Sequence, residues 1–160
     1  MTVLGAAMAG AGTITVTLDQ PNQTGAPGDT LMFFGVIAST GAGTQFLNSD
    51  GLNLSATTGD FTTDDGPFFA NSPVSLATGA STADIELFDV TIADPFTDAF
   101  TSYSGLFTIL GGVDGSSLDI LTDPAISFSV SVQNSAPEPS SSLMILAGFV
   151  ACAFVRRRSI

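Results

Sequence analysis

The sequence has no histidine, no tryptophan and no lysine, and only one cysteine and one tyrosine. Without histidine, neither a Ser-His nor a Cys-His nucleophilic arrangement can be assembled from this chain alone. The single cysteine, Cys152, leaves no intrachain disulfide, and with no imidazole beside it a structural zinc centre is excluded as well. The missing tryptophan and the lone Tyr103 thin the aromatic platform on which sugars usually stack. Cations are almost absent: the only three are the adjacent Arg156, Arg157 and Arg158. Charged residues make up 11% of the chain, against roughly 25% in an ordinary domain. Everything ahead of Arg156 carries 15 acidic side chains and no basic one. Such a body cannot neutralise phosphates, which excludes nucleic acid as a partner. It also cannot form a side-chain salt bridge, so it must be held by burial and backbone hydrogen bonds. The ordinary reading of its acidity is a well-solvated exterior. No catalysis and no cofactor are expected; a carboxylate pair of the glycosidase kind is the one formal route left, and no spacing singles out such a pair.

What the chain does have is apolar content, 44% over 160 residues, enough for one domain with a real core and a short appendage. From Thr13 the pattern has period two. Ile14, Val16 and Leu18 alternate with threonines, and Ile126, Phe128, Val130 and Val132 alternate with serines and Gln133. Both runs read as half-buried strands, as do Tyr103, Gly105, Phe107 and Ile109. Leu31 to Ala38 is apolar in both phases, which suits a central strand or one covered on both sides. Ile85 and Leu87 share one phase while Phe88, Val90 and Ile92 share the other, the slip a β-bulge produces. Turn chemistry separates the runs at Gln20-Pro21-Asn22, Ala26-Pro27-Gly28-Asp29, Gly41-Ala42-Gly43, Asp64-Asp65-Gly66-Pro67, Asp94-Pro95 and Gly111-Gly112. Seven to nine short strands, with no helical period before the tail, predict an all-β domain over 13–135: an antiparallel β-sandwich of immunoglobulin-like architecture.

Two loops concentrate acids. Asp60, Asp64 and Asp65 lie in one, and Asp114 and Asp119 flank another. Hard cations such as calcium need several oxygens converging on one point. Neither loop has the EF-hand spacing, so a solvated acidic loop is the favoured reading and the first three residues are the calcium candidates. Asn22-Gln23-Thr24 and Asn53-Leu54-Ser55 match the glycosylation sequon as motifs only.

The two ends differ from this body. Residues 1–12 are small and apolar, and Ala7-Met8-Ala9 has the small-x-small form of a signal-peptidase site, which reads as the remnant of a signal peptide lacking its basic leading region. At the other end, over 136–160, Pro137-Glu138-Pro139 and three serines precede Leu143-Met144-Ile145-Leu146-Ala147-Gly148-Phe149-Val150-Ala151-Cys152-Ala153-Phe154-Val155, and then the three arginines. The run is apolar on all sides, as a membrane helix is. At about 1.5 Å per residue it spans only about 20 Å, short of the roughly 30 Å of a hydrocarbon core. The arginines act as a stop on the cytoplasmic side, leaving what precedes them outside. The two prolines keep the triplet extended, as a protease cleft requires.

In order and spacing, these three parts resemble the PEP-CTERM sorting signal. The resemblance covers about the last 25 residues. It implies that the chain is a substrate of an exosortase, a membrane-embedded enzyme of Gram-negative bacteria that cuts near the triplet. The inner membrane would then hold the chain only transiently, before release to the cell surface or extracellular matrix, where such proteins are linked to exopolysaccharide and biofilm. The Pro-Gly-Asp-Thr, Asn-Ser-Asp and Ser-Gly-Leu-Phe-Thr-Ile stretches are similar to the bodies of other short proteins of this kind. The expectation is a noncatalytic exported protein with a short C-terminal transmembrane helix. The alternative is an envelope adhesin or ligand-binding module, permanently anchored and calcium-supported.

Overall fold

A computed structural model describes residues 14–56, 59–98 and 101–133. In chain order these form β1 (Ile14–Leu18), β2 (Asn22–Gly25), β3 (Thr30–Ser39), β4 (Gln45–Leu54), β5 (Phe61–Asp64), α1 (Gly66–Asn71), β6 (Ser75–Leu76), β7 (Ile85–Ile92), β8 (Ser102–Gly112), β9 (Asp119–Ile120) and β10 (Ile126–Val132). A four-stranded sheet has the order β1-β3-β7-β5, and a six-stranded sheet has β2-β10-β8-β4-β6 with β9 against β8. Neighbours run antiparallel except β2 and β10, which are parallel. The domain is mostly β, as the period-two runs predict. The leading segment 1–12, Pro137–Glu138–Pro139, the run 143–155 and Arg156–Arg158 all lie outside the described residues. Among the described residues, no helix is long and apolar enough to cross a membrane.

The two sheets are joined by phenylalanine. Phe33 and Phe88 of the first sheet stack at 4.6 Å between centroids. Phe128 of the second meets them at 5.0 and 4.8 Å, and Phe107 stacks on Phe88 at 5.0 Å. All four rings are buried, together with Ile14, Leu18, Ile37, Val90, Tyr103, Ile109, Val130 and Val132. The inward phase of the sequence is therefore the inward face of the strands. The bulge is also where the pattern puts it: Phe33 pairs with Phe88 but Phe34 with Glu86, so Leu87 is the extra residue, and Leu87 and Phe88 are both buried.

β3 is central in its sheet, the first of the two placements expected, and its outer face is uncovered: Met32 is 51% and Phe34 38% exposed. Apolarity in both phases came from two exposed side chains and not from a second packed layer. The Asp64–Pro67 stretch opens a helix rather than a simple turn, with Asp65 at the N-cap and a proline in the first turn, where its missing N–H is no loss. α1 ends at Ser72, which is extended ahead of Pro73. At six residues α1 is too short for its period to stand out. Gly111-Gly112 is the last part of β8 and not a turn, since the Phe46 carbonyl lies where a Cβ on Gly111 would sit.

Gly105 lies opposite Phe128 in the β8–β10 ladder, and the aromatic ring occupies the space a side chain there would need. Gly105→Ala should push Phe128 out of the four-ring cluster and destabilise the domain by about 1–3 kcal/mol, the usual range for overpacking. In urea titrations it should appear as a lower midpoint with an unchanged slope; an unchanged midpoint would refute it.

Candidate functional site

The acids of the first candidate loop point in different directions. Asp60 opens β5 and is buried, 4% exposed. Its Oδ1 accepts hydrogen bonds from the Thr97 amide at 3.0 Å and the Thr97 hydroxyl at 2.7 Å, while its carbonyl accepts from the Ala93 amide. Asp60 thus ties the loop after β7 to the start of β5. Beside it, Phe61, Phe96 and Tyr103 form a second aromatic cluster, with Phe61 and Tyr103 at 4.8 Å. Burial first, then a hydrogen bond to Asp98 and the charges of Asp98 and Asp60, push the Tyr103 phenol up to about 12. Asp64 accepts from the Gly66 amide at 2.8 Å, and Asp65 stands at the N-cap position of α1 without a side-chain capping bond. Among the described residues, no three acidic side chains are disposed to hold a metal ion, so Asp60, Asp64 and Asp65 are not brought together.

In the second loop, Asp114 Oδ1 accepts from the amides and hydroxyls of both Ser116 and Ser117 at 2.8–3.0 Å. These bonds lower the Asp114 pKa. The loop is fastened to β4 by Asn48, whose side-chain amide donates to the Asp114 and Ser117 carbonyls. Asp114 shapes its own turn, and Asp119 is exposed on β9.

Two other acids have the most perturbed environments, and the loop reading missed both. Asp50 lies in β4 opposite the buried Ile109, so its side chain is on the inward face. The register of β4 shifts between Leu47 and Ser49. That slip brings Asp50, Leu52 and Leu54 into the inward phase that Leu47 holds before it. Both Asp50 carboxylate oxygens are shielded from solvent and have no hydrogen-bond partner. Burial, then the charge of Asp65, pushes Asp50 up to about 6. Asp89, on β7, lies directly opposite Asp64. Burial, then a hydrogen bond to Glu86 and the charges of Glu86 and Asp64, pushes it up to about 6 as well. The signal in the sequence was the offset of Leu47 from Leu52 and Leu54, the same kind of slip seen at Leu87.

Chemically, this arrangement holds protons in the mildly acidic range. A carboxyl near 6 has the pKa of a general acid, but the shielded oxygens of Asp50 offer no approach to a substrate. Compared with known proteins, the chain matches no family model and no curated protein.

The unfolded reference for both carboxyls is 3.8, and the folded value is about 6. Between the two, the fold binds protons that the unfolded chain releases. The stabilisation is complete below about pH 4 and is lost as pH rises through about 6. Thermal melts should therefore give a higher Tm at pH 5 than at pH 7. Asp50→Asn should raise the pH 7 Tm by a few degrees, about 1 kcal/mol once solvent screening is allowed for, and flatten the profile. An Asn variant less stable at pH 7, with the wild-type slope, would show that the Asp50 charge is not the strained group.

Proposed function

We propose that this chain is an exported, noncatalytic surface or extracellular-matrix protein, sorted and cleaved by an exosortase through its C-terminal segment. The observation that carries the reading is the order and spacing of Pro137-Glu138-Pro139, the apolar run 143–155 and the three adjacent arginines. Each part suits one physical step of sorting. The triplet offers an extended peptide for cleavage, the apolar run stops in lipid, and the cation cluster stays on the cytoplasmic side.

The body suits such a role. We read its two sheets as an immunoglobulin-like sandwich. The order β1-β3-β7-β5 facing β2-β10-β8-β4 corresponds to strands A-B-E-D over G-F-C, with the first strand split between the sheets. A compact β-domain of this type presents itself outside the cell without disulfides, here through an aromatic core, and its acidic surface keeps it soluble. Nothing in the disposition of its acids favours catalysis over presentation, and exopolysaccharide is the matrix partner that the sorting signal implies.

Mass spectrometry of the mature C-terminus, on protein isolated from the cell surface, tests the reading. The expected end lies close to the Pro137–Pro139 triplet, and Glu138→Ala should shift the protein into the membrane fraction with its tail uncut. A surface protein still carrying Ile160 would instead indicate a permanently anchored envelope module. A topology reporter placed ahead of Pro137 and found in the cytosol would sink both readings.

A further inference from the structure

Four strands end the two sheets, and β9, two residues that include Asp119, adds a short edge beside β8. β6 has two residues; β5 has four and carries Asp64; β2 has four and follows Pro21. Short length, charge and proline are the usual guards against pairing with another chain. β1 has none of them: Ile14-Thr15-Val16-Thr17-Leu18 is uncharged and free of proline, in a chain with 15 acids. Its outer edge opens on a groove of about 440 Å³, bounded on the far side by residues 122–127 and lined by a single charged residue, Asp123.

The free backbone groups on that edge can be assigned. The Asp19 amide donates to Phe34 of β3, whereas the Ile14 amide donates the other way, to Leu121. By strand alternation, Thr15 and Thr17 bond β3, while Val16 and Leu18 direct their N–H and C=O groups into the groove. No bond from a described residue reaches these groups of Val16 or Leu18. The sequence of β1 is also symmetric about Val16. In an antiparallel pairing with itself, valine meets valine, threonine meets threonine, and isoleucine meets leucine.

We propose that β1 is a self-pairing edge, through which two copies of this chain join their four-stranded sheets about a two-fold axis at Val16. An isologous contact requires a self-complementary patch, and this strand is one. Val16 would exchange bonds with its counterpart, while the Ile14 amide stays with Leu121. Threonine pairs flank the axis on the outer face, where cross-strand Thr–Thr contacts are favourable. Charge selects the same place: two copies at a formal −12 each repel, and the uncharged edge lets their backbones approach with least opposition.

The pairing fixes a testable register, because Thr15 faces Thr17 of the other copy and not its own counterpart. Both threonines are exposed, so cysteines there leave the core untouched. In the full chain carrying Cys152→Ser, Thr15→Cys and Thr17→Cys proteins are oxidised separately and as a mixture, with circular dichroism to verify folding. The expected result is a disulfide-linked dimer mainly in the mixture, since directly opposed Cα atoms about 4.5–5.5 Å apart suit a disulfide. The yield should rise with ionic strength as repulsion is screened. Val16→Pro on either partner should abolish the dimer, because that amide faces the groove. Equal crosslinking in all three samples would place any association elsewhere in the chain, and no crosslinking of folded protein would remove it altogether; either result overturns the proposal.

Discussion

The structure depends above all on one contact between its two layers, the cluster of Phe33, Phe88, Phe107 and Phe128. No cation lies within 14–133, so no side-chain ion pair can fasten one sheet to the other. The sheets meet through rings whose stacked and edge-on geometry adds to the gain from burying them. The rest of the interior accommodates that cluster. Gly105 leaves room for Phe128, and the bulge at Leu87 turns Phe88 inward without losing the buried residue before it. Phe68 of α1 is buried against Phe107 at 6.0 Å, filling the sandwich from the side of the helix.

Much of this was legible in the sequence, and the exceptions have physical reasons. Strands with one wet face announce themselves, because alternation is imposed by the pleat; β1, β10 and β8 as far as Ile109 were readable residue by residue. The bulge in β7 was readable because it interrupts an otherwise clear alternation. β4 has the same kind of slip, but serine, asparagine and glycine dilute its pattern, so the inward turn of Asp50 went unseen. Composition marks Asp60, Asp64 and Asp65 as a group; geometry separates them, because the Asp60 carboxylate is held by Thr97 in the interior while the other two open a helix. Met32 and Phe34 show the limit of hydropathy: an apolar side chain on a central strand need not be covered. The sorting role proposed for 136–160 rests on motif order alone, since that segment lies outside the described residues.

The acids fall into two populations. Asp114 spends its charge inside a turn of its own making, where four donors hold it ionised. Asp50 and Asp89 sit where charge is disfavoured, the first shielded and unpaired, the second crowded by Glu86 and Asp64. With no lysine or arginine within reach, a proton is the only compensation the body itself can supply. The fold is therefore more stable in mildly acidic solution than at neutral pH.

The split first strand has a mechanical consequence. After crossing between sheets at Pro21, the chain runs as β2 alongside β10 and parallel to it, so Asn22 lies level with Ser129 and Gly25 with Val132. If the chain is held at one end and tugged at the other, these two ribbons slide lengthwise past each other. Every bond between them is then strained at once, rather than parting one after another like a zip.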